Sequence, residues 1–63
     1  MESDRAELSA LATTLDDLTR RVTAIADRYQ ATPRDDLAVR LYEVERSLLA
    51  ASRNLDRVLR SMR

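Results

Sequence analysis

The apolar residues of this chain fall into two runs, and every step within each run is three or four residues. The first run is Leu8, Leu11, Leu15, Leu18, Val22, Ile25 and Tyr29. The second is Leu37, Leu41, Val44, Leu48, Ala51, Leu55, Val58 and Met62. Steps of three and four lay side chains along one stripe of an α-helix, whereas a strand needs steps of two. A stripe kept up over successive heptads is the signature of helices packed side by side. The expected fold class is therefore all-α.

The rhythm breaks once, at Thr32-Pro33. Continuing the first stripe past Tyr29 would put Thr32 and Asp36 on the seam, but the apolar residues resume at Leu37. This phase slip predicts two helices, over about 3–31 and 33–62, and argues against one long kinked helix. Ser3 is the expected N-cap of the first, with Asp4 in its first turn. Thr32 is the expected N-cap of the second, with Pro33 at the first helical position and Asp35 reaching back as in a capping box. Asp16–Arg20 and Asp17–Arg21 stand at i,i+4 in the favourable order. Thr13, Thr14, Thr19 and Thr23 lower the intrinsic propensity of the first helix. No Gly is available for a left-handed C-cap, so that helix is expected to end raggedly or in a 3₁₀ turn. The short connection makes the helices antiparallel neighbours, and 1–63 is read as a single helical-hairpin domain.

Charge supports that arrangement. The chain has 11 acidic and 11 basic residues, and all the basic ones are Arg. Glu2, Asp4, Glu7, Asp16 and Asp17 face only Arg5 in the first third of the chain. Arg46, Arg53, Arg57, Arg60 and Arg63 face only Asp56 in the last third. In an antiparallel hairpin these segments lie together and cancel, and each suits the dipole of its own helix end.

Composition narrows the chemistry. With no Cys and no His there is no thiol nucleophile, disulfide or usual zinc site. Asp16-Asp17 and Asp35-Asp36 are sequence neighbours, and adjacent helical residues do not face each other. No catalytic residue, metal or cofactor is expected, and the chain reads as a non-enzyme. No stretch approaches the roughly 18 apolar residues of a membrane span. The N-terminus lacks a basic region followed by an apolar run, so no signal peptide is read there. The expectation is a cytoplasmic protein with no membrane contact.

The flanks of the stripe rank the surfaces. Let position a be Leu8, Leu15, Val22 and Tyr29 in the first helix, and Leu41, Leu48, Leu55 and Met62 in the second. Position d is then Leu11, Leu18 and Ile25 with Leu37, Val44, Ala51 and Val58, and the a and d columns are the expected hairpin seam. Position e is Arg5, Ala12, Thr19 and Ala26 with Ala38, Glu45, Ser52 and Leu59, a mostly small or apolar flank widened by Tyr42 and Leu49 at position b. Position g is Glu7, Thr14, Arg21 and Arg28 with Arg40, Ser47, Asn54 and Ser61, polar throughout. A two-helix unit buries little, so further apolar cover is needed. The flank expected to receive it comprises Ala12, Ala26, Ala38, Tyr42, Glu45, Leu49 and Leu59, with a second copy completing a four-helix bundle. Glu45 is expected opposite Thr19, either at the rim or setting register. Tyr42 and Leu49 are either dimer core or a contact for another protein.

Arg46, Arg53 and Arg60 recur every seven residues with Arg57 beside them, a possible track for phosphates or nucleic acid. Asp56 lies inside that stripe and no aromatic residue is interleaved. Arg21, Arg28, Arg34 and Arg40 form a second candidate anion patch, with Asp27, Asp35 and Asp36 close enough to neutralise it.

The plan resembles the Rop-type RNA-binding dimers of helical hairpins, in architecture alone. Glu43 and Ser47 are similar to the start of the Glu-x3-Ser-x2-Arg-x3-Gln-x3-Asp motif of hairpin anti-sigma factors that bind cyclic di-GMP. Ala50 stands where that motif has Arg and Asn54 where it has Gln, so no residue role is carried over. The reading is a small interaction or regulatory protein, homodimeric, that binds another protein through helix faces. The alternatives are a nucleic-acid or nucleotide-binding module and a structural subunit of a larger assembly.

Overall fold

The computed structural model describes residues 2–62. Helix α1 spans Glu2–Gln30 and helix α2 spans Asp35–Ser61, and the two pack against each other as a hairpin. No strand occurs among the described residues. The Cα atoms extend 49 × 14 × 10 Å, a layer two helices wide and one helix deep. Their radius of gyration is 14.6 Å, against about 11 Å for a compact domain of this length.

The ends differ from the sequence expectation by local hydrogen bonding. Ser3 lies inside α1 and does not cap it. Helix α2 begins two residues after Pro33, and Arg34 occupies its N-cap position without a side-chain capping bond. The Thr32 hydroxyl is used in the turn instead. It donates to the Tyr29 carbonyl at 2.7 Å and accepts the Arg34 N–H at 3.1 Å. Thr32 N–H also bonds the Tyr29 carbonyl at 3.0 Å, the i,i+3 tightening that ends a helix lacking Gly. Asp35 and Asp36 stand in the first turn of α2, where carboxylates suit the dipole. The Arg34 guanidinium grips Asp36 with two bonds of 3.1 and 3.2 Å. That hydrogen bond holds the Asp36 carboxyl below its ordinary range and raises Arg34.

The threonines of α1 are accommodated by back-bonding. Thr13, Thr14 and Thr19 each donate to the carbonyl four residues earlier, and the Thr23 hydroxyl lies 2.9 Å from the Thr19 carbonyl. This satisfies the hydroxyl of Thr19, which is buried, inside its own helix.

Three bonds across the seam define its register. Ser52 donates to Asp16 at 3.0 Å, Thr23 donates to Glu45, and Tyr42 donates to Asp27 at 2.5 Å. Moving from Asp16 to Thr23 advances seven residues along α1, while Ser52 to Glu45 retreats seven along α2. The pairing is antiparallel. Glu45 meets Thr23 and not Thr19. Asp16 is engaged by Ser52, so the surface pairs on α1 are Asp17 with Arg20 at 3.3 Å and with Arg21 at 3.7 Å.

Candidate functional site

The helices meet through positions a and e, not a and d. Ala26 is 0% exposed and Ala38 2%, and these are the fully covered apolar residues of the hairpin. Leu8, Ala12, Leu15 and Val22 of α1, and Leu41, Leu48, Ser52, Leu55 and Leu59 of α2, are half-buried beside them. The reason is size. A column of Ala12, Thr19 and Ala26 facing Ala38 and Ser52 lets the backbones approach closely, and interaxial distance follows the side chains at the contact.

That choice rotates the d column away from the seam. Leu11, Leu18, Ile25, Val44 and Val58 are 37–48% exposed. On an α-helix, d lies about 60° to one side of a, and e about 40° to the other. In an antiparallel pair both d columns then emerge on the same side of the layer. The hydrogen-bonded register places Leu11 across from Val58, Leu18 across from Ala51, and Ile25 across from Val44. The result is an uncovered apolar ladder along one broad face, rimmed by the polar g positions.

The opposite flank is polar and self-satisfied. Its rungs are the three seam bonds, and the Tyr42 hydroxyl also lies 3.1 Å from the Gln30 side-chain oxygen. Donation to Asp27 raises the Tyr42 phenol above its ordinary value, and partial burial and the charges of Asp27 and Glu45 add to the rise.

The residues expected to form the partner flank are thus distributed differently. Ala12, Ala26, Ala38 and Leu59 belong to the hairpin contact itself, and Tyr42 and Glu45 are tied across it by hydrogen bonds. Leu49 is exposed on the polar flank. The exposed d ladder, read from sequence as seam, is the face without an intramolecular partner.

The Arg stripe lies in solvent. Arg46, Arg53, Arg57 and Arg60 are exposed, and Arg57 bonds the Asn54 side chain at 3.2 Å. Arg53, Arg57 and Arg60 line a shallow depression together with Asp56, which offsets part of its charge. In the second patch Arg21 pairs with Asp17 and Arg34 with Asp36. Among the described residues no cluster of metal-ligating side chains occurs. Among those residues no helix is long and apolar enough to cross a membrane. Comparison of the chain with protein-family models, with curated proteins and with solved structures gives no match.

Proposed function

We propose that this chain is a non-enzymatic interaction protein that acts through helix packing, as a homodimer whose two hairpins stack into a four-helix bundle and offer its outer surface to another protein. The observation that carries this reading is the uncovered ladder of Leu11, Leu18, Ile25, Val44 and Val58. A bundle helix needs an apolar face three positions wide in every seven, and these helices have a, d and e. The hairpin covers a and e; a second layer covers d and finishes a.

Area supports a partner the size of the chain itself. The accessible surface is 4923 Å² for 7.2 kDa, against about 4,100 Å² for a compact monomer of that mass. The excess of about 800 Å² matches what one partner contributes to a standard stable interface. Among the described residues no large side chain is fully buried, so the hairpin depends on that cover for a core. A second copy supplies a layer of the same length and the same apolar spacing.

The test is the mass of the folded chain at micromolar concentration, with helicity followed on dilution. The reading expects a helical dimer whose helicity falls as it dissociates. A fully helical monomer, with helicity independent of concentration, contradicts it.

A further inference from the structure

Two hairpins can cover each other's d ladders by either of two rotations, and the bundle is antiparallel throughout in both. With the two-fold axis along the helices, α1 lies on the partner's α2. With the axis across them, α1 lies on the partner's α1 and α2 on the partner's α2. Resting on the homodimer proposed above, we infer that the second arrangement is the one this chain is built for, with Leu18 and Ala51 each meeting their own copies at the axis.

Two independent features point to it. The first is the polar rim at position g. With α1 against its copy, the step that sets Leu18 on Leu18 brings Glu7 beside the partner's Arg28 and Thr14 beside the partner's Arg21. Each of these meetings occurs twice by symmetry. With α1 against α2, Arg28 falls beside the partner's Arg40, also twice. Like charges brought together at a rim oppose association and opposite ones steer it.

The second feature is the distribution of volume along the a column. Tyr29 and Leu41 occupy the a layer at the loop end, and Leu8 and Met62 the one at the open end. An axis along the helices stacks like ends together, putting two Tyr and two Leu in one layer, and two Leu and two Met in the other. An axis across the helices makes both end layers alike, each with Tyr29, Leu41, Leu8 and Met62. Even layers pack at constant helix spacing, which a straight bundle requires. Tyr29 is half-exposed in the hairpin, so it is available to be covered in this way.

The absence of Cys from the chain makes the arrangement directly readable by cross-linking. Leu18→Cys and Ala51→Cys are prepared separately, each is treated with a short thiol-specific bifunctional reagent, and a mixture of the two is treated alike. The inference expects a covalent dimer from each variant alone. Cross-linking confined to the mixture overturns it and leaves the homodimer standing, because that pattern means Leu18 faces Ala51 of the partner. A wild-type chain that is monomeric by mass overturns both. The rim gives a second readout: Glu7→Arg weakens the dimer about tenfold at low salt, and adding Arg28→Glu to it restores the affinity. An Arg28→Glu single variant that dimerises more tightly than wild type also overturns the inference, since it reports relief of Arg28 from Arg40.

Discussion

The two broad flanks of the hairpin share one register and are opposites in chemistry. On one flank, Asp16 with Ser52, Thr23 with Glu45 and Asp27 with Tyr42 complete each other's hydrogen bonds across the seam. On the other, Leu11, Leu18 and Ile25 stand beside Val58, Ala51 and Val44 with nothing over them. A slip of one helix past the other would break every hydroxyl–carboxylate bond, yet would leave an apolar ladder much as apolar as before. The polar flank therefore sets how the helices pair, and the apolar flank is the surface that the proposed second hairpin would cover. In that proposal specificity and association reside on different sides of the same layer.

This division can be broken most severely at the centre of the apolar ladder. Leu18→Glu places a charge in both halves of the proposed bundle. At about 2 kcal/mol for each lost Leu burial, before any cost of burying charge, dimer affinity falls at least a thousandfold, and helicity goes with it at micromolar concentration. Circular dichroism with sedimentation checks this; a helical dimer of normal affinity would remove the apolar flank from the account. Next in size is Ala38→Leu. It forces a larger side chain into a position that the hairpin leaves only 2% exposed and should cost about 1–3 kcal/mol, read as a lowered midpoint in urea.

The polar flank predicts smaller effects. Tyr42→Phe deletes the bond to Asp27 and should lower the midpoint in the same titration by less than Ala38→Leu does. The direction with pH also follows. The Tyr42 phenol is raised in the folded chain, chiefly because it donates to Asp27. Its stabilisation is therefore complete below the ordinary phenol value near 10 and is lost as pH rises through the folded-state value. Alkaline melts should show that loss in the wild type and lack it in Tyr42→Phe, with ultraviolet titration reporting the phenol itself. The smallest effect belongs to the exposed positions. Leu49→Glu and Arg53→Glu should leave helicity and mass unchanged. If Arg53→Ala or Arg57→Ala instead abolishes a salt-sensitive affinity for RNA or DNA, the Arg stripe has a use outside this comparison.

Much of the fold was legible in the three-four rhythm and in its slip at Thr32-Pro33, because helical period and a proline break are local properties. Helix α2 starts two residues later than the proline pattern predicts, since the Thr32 hydroxyl serves the Tyr29 carbonyl and the Arg34 N–H in the turn. Which columns face each other was not legible from hydrophobicity alone. Positions a and d are apolar and position e is mostly small or apolar, and a pair of helices can seal either side of a. The deciding signal is size, in Ala12, Thr19, Ala26, Ala38 and Ser52, and small residues in a sequence suit cover by a partner as well as close approach within the hairpin. The roles of Glu45 and Asp16 depend on register, and register is set by pairs more than twenty residues apart in the chain.

The central claim is that the d ladder is covered by a second hairpin, and sedimentation equilibrium across a dilution series, paired with far-ultraviolet circular dichroism, tests it most directly. The prediction is a species of twice the single-chain mass at micromolar concentration, with mass and helicity falling together on dilution and both lost in Leu18→Glu. A chain that stays monomeric and fully helical at every concentration, in wild type and in Leu18→Glu alike, would contradict it.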